Sequence, residues 1–423
     1  MTCCEEYAAR QTGAGVSRRT LFKGLGVAAL AAPLASPLLS ARTAYAAGYT
    51  GDVLVVVSLR GGMDGLSLVA PVGDPDYARL RPSIGVPVSL GVPTGDTRFA
   101  LHPGLAPLKP LWDRGLVGAV HAVGSPDGSR SHFKATEELE RSAPGTSVRT
   151  GWLDRVLGTR ATGTVFQSVQ LGSGSPHQLL AGPSRDLAVR SLKDFSLSQS
   201  DWVGPRMTTA LAALHQGVDS PAVPAARTTL DALAATAAVM KDAPTPQNGA
   251  VYPDSEIGRA LADVARLVRA GGGLQTACLD LGDWDMHSGL GKAGTGWMAS
   301  KAADLATSLA AFATDLGPAM DRVCLLTMSE FERRAAENGS GGVDRGYGNA
   351  VLLMGGGVVG GKVHGVWPGL TSAALDHGDL AGTTDYRSLL AELLVKRTGL
   401  VSTALPQVFP GFTPRPIGIA RAL

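Results

Sequence analysis

Apolar runs and helically spaced apolar positions alternate along the chain. Residues 52–59 (DVLVVVSL) form an unbroken, β-branched apolar run, the pattern of a strand buried on both faces. Residues 103–114 read as a helix and 116–123 as the next strand. Over 255–270, Ile257, Leu261, Val264 and Val268 recur at helical spacing, and Gly271-Gly272-Gly273 stops the helix. A strand at 274–279, an Ala-rich helix at 297–315, strands at 323–328 and 350–354 and a helix at 385–398 complete the series. This alternation predicts an α/β fold: a largely parallel central sheet with helices on both faces. Between the strands, 198–240 is Ala-rich, with Leu230, Leu233, Ala237 and Met240 on one helical face, and 243–253 has linker composition. Residues 198–250 are therefore expected as a helical insertion within a single domain, 47–423. No internal repeat interrupts it.

The amino-terminal stretch follows a different pattern. Ser17-Arg18-Arg19-Thr20-Leu21-Phe22-Lys23 precedes an apolar, Ala-rich run over 24–39 and the small-x-small triplet Ala44-Tyr45-Ala46. These are the charged region, apolar region and cleavage site of a secretory leader, 1–46. The arginine pair resembles a twin-arginine export signal, with Leu-Phe where Phe-Leu is commoner. Pro33 and Pro37 interrupt a run already shorter than a membrane span, and no later stretch of about twenty apolar residues exists. The expected destination is periplasmic or extracellular, with no integral membrane segment after cleavage.

Composition narrows the partners. The 423 residues are 44% hydrophobic and 17% charged, too apolar and too nearly neutral for a disordered chain. The net charge of +2 includes a leader with Arg10, Arg18, Arg19, Lys23 and Arg42 against Glu5 and Glu6, so the remainder carries −1. That removes the electrostatic footprint of a nucleic-acid binder. Cys3 and Cys4 leave with the leader, and Cys278 and Cys324 lie in apolar runs where buried thiols are the simplest reading.

In open parallel sheets, sites form where loops leave the carboxyl ends of strands. Here those loops carry Arg60 to Gly65, Asp127 to Phe133, Asp280 to His287 and Ser329 to Glu332, with Asn338 to Asn349 preceding the strand at 350–354. Asp280, Asp283, Asp285 and His287 fall within eight residues, and two-residue spacing puts Asp285 and His287 on one side of an extended segment. Carboxylates mixed with imidazole suit Zn, Mn or Fe better than Ca. Asp64 and Asp344 stand on neighbouring loops. Ser131 is a candidate nucleophile beside Arg130 and His132, and equally a helix N-cap. The GxGxxG match at 355–360 is followed by KVHGVWPGL, which is no helix, so a dinucleotide site is not expected. His102, His121, His177, His215, His364 and His377 read as ordinary.

The same loops carry a resemblance. Leu59 to Leu66 (LRGGMDGL), Leu101 to Pro107 (LHPGLAP), Ser129 to Phe133 (SRSHF), Trp284 to His287 (WDMH), Ser329-Glu330-Phe331, Met354 to Gly361 (MGGGVVGG) and Thr383 to Arg387 (TTDYR) together resemble the exported bacterial family called domain of unknown function 1501. The resemblance spans the chain beyond the leader and implies an alkaline-phosphatase-like α/β fold. It also implies an exported hydrolase of phosphate or sulfate esters, dependent on a divalent metal (Zn, Mn or Ca) and acting on an anionic small-molecule or polymer ester. It makes Asp64, Asp285, His287 and Asp344 candidate metal ligands and places Ser131 in the nucleophile region; in such a hydrolase His132 would stand beside the nucleophile and Arg130 or Arg345 would stabilise developing charge. Three positions depart from the family pattern: Arg345 replaces a His, Lys134 an Asp and Glu332 a Gly. Two gained cations repel a metal, so the alternative is a non-catalytic exported binding or assembly protein on a degenerate version of the fold.

Overall fold

A computed structural model describes residues 49–160, 164–172, 176–184, 186–198, 200, 202–220, 222–242 and 246–423. The expected leader, 1–46, and residues 243–245 of the linker lie outside the described residues.

Among the described residues, nine strands make the main sheet: β1 (Val53–Leu59), β2 (Val117–Gly124), β3 (Ser168–Leu171), β4 (Leu187–Val189), β5 (Thr276–Leu281), β6 (Val323–Met328), β7 (Asn349–Gly355), β8 (Val363–His364) and β9 (Thr384–Asp385). Their order is β8-β2-β7-β6-β1-β5-β3-β4, with β9 also pairing β2. β1 is central. Val56 lies opposite Cys278 of β5, and Leu54 opposite Cys324 of β6, both pairs parallel. Both cysteines are buried, free thiols. Every pairing in this sheet is parallel except those of β7, which runs against β2 and β6. A parallel neighbour needs a crossover, usually a helix, and only a Gly-rich loop joins β6 to β7.

The major helices are α1 (His132–Arg141), α2 (Trp152–Gly158), α3 (Val203–Leu214), α4 (Ala222–Asp242), α5 (Glu256–Ala270), α6 (Trp297–Leu316) and α7 (Tyr386–Arg397). The unbroken apolar run of β1 has a direct consequence. Val53, Val55, Val57 and Leu59 face a core shared with α5 and α6, while Leu54 and Val56 face one shared with α2 and α7. The expected parallel-sheet architecture with helices on both faces is what forms. On α5, the Ser255 hydroxyl accepts from Gly258 N, and Gly271 closes the helix in the left-handed conformation.

Sequence pattern and structure differ in four places. The helix expected over 103–114 divides into a 3-10 segment, Pro103–Leu108, and a short α-helix, Lys109–Asp113, because Pro107 and Pro110 lack the N–H a continuous helix needs. The short strands β3 and β4 carry too few residues to announce a period. Val69–Ala70, Ala100–Leu101 and Val92–Pro93 form a separate small antiparallel sheet. Within 198–250, α4 packs Ala235 and Val239 into the core beside α5, whereas α3 buries no residue.

This division predicts unequal sensitivity. Phe312, fully buried on α6, should cost about 3–5 kcal/mol as Phe312→Ala. Leu214, exposed on α3, should cost no more than about 0.5 kcal/mol as Leu214→Ala. Urea unfolding midpoints of the two variants check both values.

Candidate functional site

Because β1, β2, β5 and β6 run parallel, the segments following them emerge at one edge, joined by the loop that enters the reversed strand β7. Two glycines let the loops close on one another. Gly61 and Gly62 both have positive φ; a Cβ would lie 2.7 Å from Asp285 N at Gly61 and 2.5 Å from the Phe331 ring at Gly62. Only glycine fits the turn.

Burial alternates along Trp284-Asp285-Met286-His287, across a tight turn in which Met286 N donates to Trp284 O at 2.8 Å. Trp284 and Met286 are buried in the core. Asp285 and His287 point the other way and meet, His287 Nε2 lying 3.1 Å from Asp285 Oδ1. Asp344, from the loop before β7, reaches His287 Nδ1 at 2.9 Å. His132, the first residue of α1, binds Glu330 Oε1 through Nδ1 at 2.7 Å. Its buried Nε2 has no hydrogen-bond partner among the described residues and lies 3.6 Å from Asp285 Oδ1, an electrostatic contact longer than a hydrogen bond. Glu330 also accepts from Gly61 N at 2.9 Å, and Ser329 Oγ accepts from Met63 N at 2.8 Å.

The expected ligand and nucleophile sets come only partly together. Asp285, His287, Asp344 and His132 form one cluster. Asp64 departs from its expected role: it is buried, and both its carboxylate oxygens accept from Arg81, at 2.6 and 2.8 Å. Ser131 is the exposed N-cap of α1; its hydroxyl makes no capping bond and meets no base among the described residues. Arg130 is tied to buried Asp379 in an ion pair. Arg345 Nη1 donates to Arg130 O at 3.1 Å, and its Nε is buried with no partner among the described residues. Asp280 accepts from Arg60 at 2.6 Å and faces His177 Nε2 at 2.5 Å, while Arg60 also reaches Glu140 at 2.7 Å.

Two groups that sequence reasoning passed over dominate the site. Glu330 sits in the Ser-Glu-Phe motif at the end of β6, and its place there is a legible signal. Arg333 carries none, since an arginine among loop charges reads as solvated. Yet its side chain is 0% exposed. Its Nη2 donates to Asp285 Oδ1 at 2.6 Å, and its Nη1 meets His287 Nε2 at 3.3 Å.

Burial opposes ionisation of Asp285, but the close His132 imidazole, the Arg333 hydrogen bond and the Arg333 charge outweigh it and hold its carboxyl well below the usual range. Burial likewise opposes the charge on Glu330, and the His132 bond overcomes it. His132 loses by burial and gains more from Asp285 and Glu330, so its pKa is raised. Asp344 is lowered, chiefly by its bond to His287. Glu332 differs: buried beside Asp64, its carboxyl is pushed up, favouring the neutral form.

These residues do not fit a divalent metal. Asp64 and Asp285 are each bound to a guanidinium, whose charge repels a second cation. Among the described residues no group of three or more His, Cys, Asp or Glu side chains is gathered in a way that holds a metal ion. Beside the cluster, a cavity of about 30 Å³, room for one water, is lined by Ser129, Ser329, Glu330, Tyr347 and Asn349 among others.

Fold and site together define an α/β protein with a charged cluster at the carboxyl edge of a mostly parallel sheet. The chain belongs to the family described as protein of unknown function (DUF1501), which matches residues 116–402. No curated protein matches it. Among solved structures it is similar to the PsFucS1 sulfatase from Pseudoalteromonas sp., at 13% identity over 88% of this chain and 73% of that one, with a TM-score of 0.34. It is also similar to the C-terminal periplasmic domain of EcEptC from Escherichia coli, in complex with Zn, at 9% identity over 73% and 74% of the two chains and a TM-score of 0.29. Alkaline phosphatase from the Antarctic bacterium TAB5 matches at 10% identity over 72% and 92%, with a TM-score of 0.25. Matches this distant transfer no residue role.

The His132 environment sets a pH dependence. A group whose pKa is raised on folding adds stability fully present below its unfolded value, about 6.5, and lost as pH rises through the folded value. The Tm difference between wild type and His132→Gln should be widest near about pH 5 and narrow steadily on the alkaline side. Thermal melts across that range check it; a gap that widens with pH overturns the assignment.

Proposed function

We propose that this chain is an exported, non-catalytic protein that binds an anionic ester group, a phosphate or sulfate carried by a small molecule or polymer. The observation that carries this reading is the guanidinium pairing of both Asp64 and Asp285. It removes two of the four ligands that the resemblance implies, Asp64 and Asp285, from a metal's reach.

The anion-binding part rests on what surrounds Ser131. The first N–H of α1 to enter the helical ladder is that of Ala135, which bonds Ser131 O. The N–H groups before it are oriented toward an anion at the helix start. Arg345 stands over the same turn through its bond to Arg130 O, and a guanidinium pairs with phosphate or sulfate in bidentate fashion. Export by the twin-arginine route, read from Arg18 and Arg19, belongs to the same proposal and delivers the folded protein to the periplasm or beyond.

The test uses the purified chain without its leader. Aryl phosphates and aryl sulfates should show no turnover with Zn, Mn or Ca added. Inorganic sulfate and phosphate should bind in calorimetric titration, and Arg345→Glu should weaken that binding by about tenfold or more, the scale of one charge-assisted hydrogen bond. Metal-stimulated turnover that disappears in Asp285→Ala sinks the proposal.

A further inference from the structure

The arginines at this edge divide into two kinds. A guanidinium has five N–H donors in a fixed plane. Every guanidinium nitrogen of buried Arg81 and Arg333 is hydrogen-bonded within the protein. Arg130, Arg334 and Arg345 differ. Among the described residues each of their guanidinium groups makes a single hydrogen bond: Arg130 Nη2 to Asp379 Oδ2, Arg334 Nη2 to His377 O at 2.8 Å and Arg345 Nη1 to Arg130 O at 3.1 Å. The side chains of Arg130 and Arg334 are 44% and 38% exposed. The three are also joined in a row. Arg345 grips the main chain of Arg130, the Arg130 side chain reaches Asp379, and Arg334 Nε lies 3.9 Å from the other oxygen of that carboxylate. Asp379 is fully buried, so one hidden negative charge anchors two of three guanidinium groups. The exposed carboxylates nearby are turned elsewhere: Asp344 bonds His287 Nδ1 at 2.9 Å, and Asp376 lies 3.7 Å from His377 Nε2. The buried Nε of Arg345 has no acceptor among the described residues, and a buried donor left unpaired is costly.

We propose that Arg345, Arg130 and Arg334 are consecutive subsites for a ligand carrying two or more sulfate or phosphate groups. This rests on the anion-binding reading, because Arg345 is shared with it; Arg130 and Arg334 extend the contact from one oxyanion to a series. An oxyanion paired side-on across Nε and Nη2 of Arg345 supplies the missing acceptor, since a guanidinium offers two parallel donors to such a group. Asp379 holds the Arg130 and Arg334 side chains beside it without using up their donors. Pairings with successive groups of one ligand reinforce each other, because every pairing after the first is intramolecular. A ligand with a single anionic group has no means of engaging the row.

The experiment titrates the purified chain without its leader by calorimetry, using phosphate against tripolyphosphate and sulfate against sucrose octasulfate. In at least one pair the multivalent probe should bind about tenfold or more tighter than the single ion, and that pair identifies the ester. A gain in neither pair overturns the proposal. In the pair that shows the gain, Arg334→Gln should lower the ratio of the two affinities by about threefold or more, the scale of one exposed ion pair. A folded Arg334→Gln with the wild-type ratio overturns the proposal as well, and the wild-type comparison stands even where that variant does not fold. Single-ion binding without a multivalent gain ends the arginine row and leaves the single anion site. Multivalent binding that Arg334→Gln weakens, with no binding of phosphate or sulfate alone, ends the single anion site and leaves the row.

Discussion

A full positive charge removed from water must be met donor by donor, and at this carboxyl edge that requirement organises everything around it. Burying an unpaired ion costs several kcal/mol even after relaxation, on the order of a domain's whole stability. Arg333 meets the demand only if Gly61, Gly62, Trp284 and Val343 each turn a carbonyl toward it while Asp285 supplies the counter-charge. The loops are therefore placed by a shared acceptor problem. The glycine turn after β1 has to approach Asp285 closely, which excludes a side chain at Gly61, and Trp284 and Met286 must be buried for Asp285 to face the guanidinium.

The sheet makes that convergence possible, and the reversal of β7 completes it. In a wholly parallel sheet every functional loop follows its strand. β7 runs the other way, so the loop that precedes it, carrying Val343, Asp344 and Arg345, arrives at the edge reached by the loops after β1, β5 and β6. Asp344 can then bond His287, and Arg345 can reach across to Arg130 O. The two-faced burial of β1 anchors the arrangement, because a strand packed on both sides cannot shift register without exposing one whole set of valines.

Much of this was legible in the chain. The apolar run of β1, the helical spacing of Ile257, Leu261 and Val264, and the Gly stop after α5 report burial and backbone geometry, which are local properties. The alternation that brings Asp285 and His287 together is local too. What the pattern did not carry was partnership. Asp64 looks like a ligand because it is a carboxylate after a Gly-rich turn, and nothing nearby in sequence announces that Arg81 will saturate it. Arg333 is hidden for the same reason: its burial depends on carbonyls scattered from Gly61 to Val343. The direction of β7 belongs to this class as well, being set by a connection without a helix and not by the strand's own residues.

The two arginine–aspartate pairs differ in how firmly they close the site. Arg81 and Asp64 have side chains 0% and 1% exposed, with two parallel hydrogen bonds. Freeing Asp64 for another cation would leave Arg81 buried and unpaired, a cost of about 3–5 kcal/mol, before the desolvation of the arriving ion is counted. Asp285 is less enclosed, at 41% exposed, yet its partner Arg333 is wholly buried and cannot follow it toward solvent. Releasing either carboxylate therefore strands a guanidinium, and the penalty falls on the arginine whatever the affinity of the competing ion. His132 is constrained in the same sense, since two carboxylates favour its charged form, in which it cannot take a proton from a hydroxyl. On the anion-binding reading, Arg345 and the first N–H groups of α1 would receive the negative charge, while Asp64, Asp285 and Glu330 beneath them already hold Arg81, Arg333 and His132.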